Sequence, residues 1–196
     1  MATLLLTATP GPGVLYVAAR TLAQGRRAGL ASMFGIESGE IVWIIAAATG
    51  VAALVSASLP ALTVLRLGGG AYLVFLGVQR WREVGSLVVP DRAPAGRVFL
   101  QGMITQLLNP KVAVFFLAFL PQFLNPARPI ALQFGVLGVV YVATAIVVDL
   151  SYVLALGAVG RRFLASRVAQ RRVGRLSSAT YVALGLAAGA SAARAV

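Results

Sequence analysis

Long stretches of this chain carry no charged side chain. Uncharged runs extend from Met1 to Ala19, Ile41 to Leu65, Leu67 to Gln79, Val98 to Pro110 continuing as Val112 to Ala127, Ile130 to Val148, and Leu176 to Ala193. A bilayer core about 30 Å thick is crossed by roughly 20 helical residues, so runs of this length leave room for little besides membrane spans. Composition agrees. Hydrophobic residues make up 59% of the chain, mean hydropathy is +0.89 and 11% of residues are charged, whereas a water-soluble domain is about 25% charged. Allowing one embedded charge in the third, fourth and fifth, the runs predict six transmembrane helices near 1–19, 36–59, 61–79, 98–124, 130–158 and 177–195. The alternation of a membrane β-barrel does not occur. Residues 1–19 lack a basic leading segment and contain Pro10-Gly11-Pro12, so they are expected to stay as a span rather than be cleaved as a signal peptide.

The absence of cysteine and histidine removes the usual residues of thiol redox chemistry, of metal and haem ligation and of Ser-His catalysis. An enzyme is not expected, and neither is a metal or another cofactor. The 17 basic residues outnumber the 5 acidic ones, but they lie between the apolar runs, where they report orientation rather than nucleic-acid binding. Arg20, Arg26 and Arg27 follow the first span, Arg80, Arg82, Arg92 and Arg97 the third, and Arg161, Arg162, Arg167, Arg171, Arg172 and Arg175 the fifth. Short cytoplasmic loops concentrate Lys and Arg, so these loops are predicted to be cytoplasmic and both termini to face outward. The last basic stretch, with apolar residues interleaved, reads as an interfacial segment on anionic lipid.

Divided near residue 90, the chain gives two sets of three spans, and an odd number per set inverts the second relative to the first. The expectation is an all-α polytopic membrane protein in one domain: repeat one over about 1–80, a connecting loop at 81–97, and repeat two over about 98–196. The first span of each set is interrupted, by Pro10-Gly11-Pro12 and by Asn109-Pro110-Lys111. Matched interruptions of this kind point to a transporter's binding site, because backbone groups freed inside a bilayer must face protein or a water-filled cavity. A pair of packing kinks would leave the same marks. On the helix-interior scale, replacing Pro110 by Ala is expected to strengthen the helix by up to about 3 kcal/mol.

Five ionisable side chains fall within or at the edge of spans: Glu37, Glu40, Arg66, Lys111 and Asp149. Each costs about 2.5–3.5 kcal/mol at a helix centre, so each is expected to face the bundle interior and find a partner. Asp149, the deepest acid, could exchange a proton, hold a substrate ammonium, or simply pair with Lys111. Glu37 and Glu40, three apart, share a helix face and form either an acidic pair in the translocation path or two side chains snorkelling toward Arg26 and Arg27. Gly35 and Gly39 beside them permit close approach of another helix. Arg66 is expected to snorkel to the outer interface. Gly68-Gly69-Gly70 and the Gly185 and Gly189 pair read as seams, within the subunit or across a homodimer. Tyr141 and Tyr152 are deep enough to require hydrogen-bond partners.

Several of these motifs together resemble the LysE/RhtB amino-acid exporters. They are Pro10-Gly11-Pro12, Gly25-Arg26-Arg27-Ala28-Gly29-Leu30, Gly35-Ile36-Glu37-Ser38-Gly39, Leu65-Arg66-Leu67-Gly68-Gly69-Gly70-Ala71-Tyr72-Leu73, Gly102 with Asn109-Pro110-Lys111, and Phe119-Leu120-Pro121-Gln122-Phe123. They follow in order over roughly residues 8–125. The resemblance implies a secondary exporter of the bacterial inner membrane that expels amino acids or similar small metabolites in exchange for protons, with Asn109, Pro110 and Lys111 at its site. Fewer residues precede Pro10 than such proteins usually have, so the first span is expected to lack its outer turns. The reading from another class is an uncoupled channel or a membrane-embedded assembly factor.

Overall fold

Proline opens two of the helices. In the computed structural model, which describes residues 11–57, 91–125 and 127–165, Thr7, and single positions between 64 and 79 and between 175 and 190, helix α1 (Pro12–Gln24) begins with Pro12 and is preceded by Gly11 in an extended conformation. Proline suits a first helical position, where its missing N–H would have had no partner and its fixed φ is already helical. Helix α1 ends at Gly25, whose φ of +85° lies where side chains are strained, and whose N–H returns to the Thr21 carbonyl. Helix α2 (Arg26–Ala57) starts on the next residue.

The loop expected between the first two spans is therefore a single-residue joint, and α2 begins ten residues before the predicted boundary at 36. Arginine is a good helix former and its long stem can follow a helix flank. Arg26 does so: its side chain occupies the space that a Cβ on Gly157 would need. Over 32 residues, α2 is about 48 Å long at 1.5 Å per residue. Its segment Arg26–Gly50 is long and apolar enough to cross a membrane.

Helix α3 (Ala95–Leu107) stops at the second predicted break, and α4 (Pro110–Val114) restarts after Asn109. The chain then widens into a π turn, Phe115–Phe119, in which the Leu120 N–H reaches back to the Phe115 carbonyl, and tightens into a 3-10 turn, Leu120–Phe123. Pro121 lacks the N–H that would continue regular helix there. Ala95–Leu107 and Pro110–Phe123 form a pair bent by 47° at the break. After a short turn, α5 (Ile130–Ala165) begins where the fifth span is predicted and runs beyond it. Among the described residues there is no strand. Most of the third and sixth predicted spans, Arg66, Pro10, Gly69, Gly70, Gly185, Gly189 and most of the basic stretch after Ala165 lie outside the described residues.

Glycine sets the contact between α2 and α3. A Cβ on Gly39 would lie 2.9 Å from the Met103 carbonyl oxygen, one on Gly102 would lie 2.8 Å from that of Ser32, and one on Gly35 would strike the Phe99 carbonyl. The two backbones touch, as small residues allow inside a membrane. Helix α5 buries a stripe of Phe134, Tyr141, Ala145, Asp149, Val153 and Leu156 and exposes Leu132, Val136, Val139, Val140, Val147 and Leu154. Apolar on both sides, it suits a helix facing protein on one flank and lipid on the other. Phe115, Phe116 and Tyr141 pack ring against ring at centroid distances of 5.0–5.4 Å. They belong to a core shared by α2, α5 and the bent pair.

At the far end of α1, Arg20 is buried. Its guanidinium donates to the Gln24 and Gln101 side chains, the Tyr16 hydroxyl and the Asp91 carbonyl over 2.7–3.2 Å. Gln24 closes a two-way pair with the Ala93 backbone, and the Tyr16 hydroxyl donates to the Val98 carbonyl. These bonds fasten the end of α1 to the segment leading into α3.

Candidate functional site

Both helix starts deliver backbone and side-chain polarity to one place. Asn109, extended and buried, uses its Oδ1 to accept the Lys111 N–H at 3.1 Å, the side-chain cap that lets a helix restart inside an apolar core. Its Nδ2 donates at 3.1 Å to Gln106 Oε1, one turn back on α3. Gln106 Nε2 donates to Glu40 Oε1 on α2, and the Tyr141 hydroxyl on α5 donates to the same oxygen at 3.2 Å. Trp43 Nε1 meets the Leu107 carbonyl at 3.2 Å, answering one of the carbonyls that the end of α3 leaves without a helical partner.

A cavity of about 20 Å³ lies where these elements meet, large enough for a water or two and too small for an amino acid until its walls part. Thr7, Gly13 and Val14 line it on the side of the first break, Asn109 and Lys111 on the side of the second, Glu40 and Gln106 across from them, and Tyr141, Ala145 and Asp149 along α5. Glu37, Glu40, Lys111 and Asp149 are 3–5% exposed. The Lys111 ammonium is within electrostatic reach of both Glu40 and Asp149, and Glu37 within reach of Glu40 and Asp149. Neither glutamate comes out to the surface toward Arg26 and Arg27. One ammonium thus faces two carboxyls, with Glu37 behind them, and burying charge is tolerable only where it is paired or neutralised. Among the described residues no three carboxyls, thiols or imidazoles are placed to hold a metal ion.

Of the residues singled out from the sequence, Gly11 and Pro12 begin α1, while Asn109, Pro110, Lys111, Glu40 and Asp149 meet at or beside the cavity. Glu37 stands one turn from Glu40, and Pro10 falls outside the described residues. Gly35 and Gly39 do admit a neighbouring helix, on the flank toward α3. The sequence argument missed Gln106, Thr7 and the role of Tyr141. Gln106 left one usable trace, as an uncharged polar residue one turn before the break.

The profile of the LysE type translocators matches residues 4–191. A protein of Salmonella typhimurium named homoserine/homoserine lactone efflux protein is 36% identical over 149 residues, covering 74% of this chain and 70% of its own. An uncharacterized membrane protein of Vibrio cholerae is 31% identical over 180 residues, 90% of this chain and 87% of its own. A threonine efflux protein of Escherichia coli K12 is 28% identical over 143 residues, 69% of each chain. No solved structure is detectably similar to this chain.

Proposed function

The chain belongs to the LysE family of translocators, and on that footing we propose that it exports small amino acids across the inner membrane of a bacterium in exchange for protons. The observation that carries this reading is the cavity between two proline-led helix starts, with an ammonium and carboxyls buried in its wall. An amino acid is a zwitterion and needs both. Its ammonium is placed against Asp149 and Glu40, and its carboxylate against Lys111 and the first N–H groups of α1, where the helix dipole favours an anion. Relatives named for homoserine and threonine support a small hydroxylated side chain, for which Tyr141, Gln106 and Asn109 supply hydrogen-bonding groups.

In this reading the six predicted spans form two inverted halves, and each half contributes its broken helix to the site. Rocking one half against the other opens the cavity to one side at a time. The arginine distribution supports outward-facing termini.

The test is efflux from proteoliposomes loaded with labelled threonine or homoserine. An imposed proton gradient should drive export. Lys111→Ala should weaken amino-acid binding about ten- to a hundredfold, since a contact to a charged group is worth about 1.5–3 kcal/mol. A lactone, which lacks the carboxylate, should bind parent and variant alike. Release at a rate indifferent to the gradient would mean an uncoupled channel. Equal weakening for amino acid and lactone would remove Lys111 from the carboxylate site.

A further inference from the structure

Glu37 and Glu40 are one turn apart on α2, and their carboxyl groups are hydrogen-bond neighbours. The supply of donors around them is short. Glu40 Oε1 receives two, from Gln106 and Tyr141. Glu40 Oε2 and both oxygens of Glu37 are buried and meet none. Were both groups ionised, acceptor would face acceptor, and buried polar atoms left without partners each cost about 1–3 kcal/mol, more when charged. One proton changes the count, because a protonated carboxyl is a donor as well as an acceptor.

We infer that the pair is a one-proton site, in which Glu37 carries the proton and donates its O–H to Oε2 of Glu40. The assignment to Glu37 follows from the surroundings. Of the two, Glu40 is the better placed to hold the negative charge: it too faces Asp149 on α5, but two donors hold its other oxygen and Lys111, at the start of α4, is within reach. Glu37 faces Glu40 on its own helix and Asp149 on α5, with the Tyr141 hydroxyl on α5 also in reach and no cation. Among the described residues, α1 and α3 bring no ionisable side chain to the pair; α3 brings the neutral Gln106. A metal ion in the proton's place would want about six to eight oxygen ligands. Three free oxygens are at hand, and Gln106 presents its amide N–H rather than its carbonyl.

The charge count gives the site its use, and this step rests on the exporter reading. With the proton in place, Glu40, Asp149 and Lys111 carry one net negative charge; without it they and Glu37 carry two. A substrate ammonium is held more tightly by the second arrangement. Loading substrate therefore favours loss of the proton, and return of the proton favours release of the substrate, which is the relation that exchange requires.

The presence of the proton is read by infrared spectroscopy of the full-length protein in lipid nanodiscs near neutral pH. The difference spectrum between the parent and Glu37→Gln should contain the carbonyl stretch of one protonated carboxylic acid, shifted in heavy water. Glu40→Gln should lose the same band, because its amide donates to Glu37 and lets Glu37 ionise, whereas Asp149→Asn should keep it. No acid band in the Glu37→Gln difference, or a band lost only in Asp149→Asn, overturns the proposal. In proteoliposomes a proton gradient should accelerate threonine release by the parent, and Glu37→Gln should lose that acceleration at least tenfold. A Glu37→Gln protein accelerated like the parent overturns the coupling role. If the parent moves no amino acid at all, the exporter reading fails, and the infrared band still decides whether the pair holds a proton.

Discussion

Gln106 uses its amide on two elements at once, donating to Glu40 Oε1 on α2 and accepting from Asn109 Nδ2 beyond the break. Tyr141 donates to the same glutamate oxygen from α5. Removing either donor should cost stability, by about 1 kcal/mol for the Tyr141→Phe hydroxyl and about 1–3 kcal/mol for Gln106→Leu, which also strands the Asn109 amide. Because both act on one oxygen, the double variant should not cost the sum. Thermal unfolding of the two single variants and the double variant measures this coupling; strict additivity would mean that the oxygen does not join them. The difference between these residues and the charged ones explains what the sequence disclosed. A charge in a hydrocarbon-length run is expensive enough to mark its owner, so Glu37, Glu40, Lys111 and Asp149 were visible at once. An amide or a hydroxyl is cheap enough to occur on any helix face, and Gln106 and Tyr141 acquire their role only when three helices pack.

The two breaks were legible because proline acts on the backbone directly and needs no tertiary context. Their energetics were not. The helix-interior scale predicts a gain of up to about 3 kcal/mol for Pro110→Ala. Pro110 instead occupies the first position of α4, behind an extended Asn109 whose side chain caps the new helix. No helical N–H is missing there and no ring clashes with a preceding turn. Pro110→Ala should therefore leave the bend in place and lower stability slightly, by about 0.4–1 kcal/mol, through a more flexible unfolded chain. Asn109→Ala should cost about 1 kcal/mol through the lost cap, together with the Gln106 contact. Thermal unfolding decides the sign, and a marked rise for Pro110→Ala would restore the interior scale. The joint at Gly25 escaped the sequence for the opposite reason. Three arginines within eight residues looked like a loop, yet Arg20 is buried in a hydrogen-bonded knot and Arg26 lies along Gly157. Charge near a membrane surface does not by itself end a helix.

At the scale of the molecule, the proposed orientation rests on a count of arginines, and the bent span offers a direct way to check it. Ala95, at the start of α3, and Ala127, in the turn before α5, are both exposed, and between them lies one pair of helices bent at Asn109. If that pair is a single broken span, the two positions face opposite sides of the membrane. If the arginines following the first, third and fifth spans lie in the cytoplasm, Ala95 is inside and Ala127 outside. The chain has no cysteine of its own, so Ala95→Cys and Ala127→Cys are each the sole target of an impermeant maleimide. In intact cells Ala127→Cys should label and Ala95→Cys should not, until the membrane is permeabilised. The reverse pattern would turn the protein over. Labelling of both positions from outside would mean that Ala95–Leu107 and Pro110–Phe123 do not cross the membrane as one broken span.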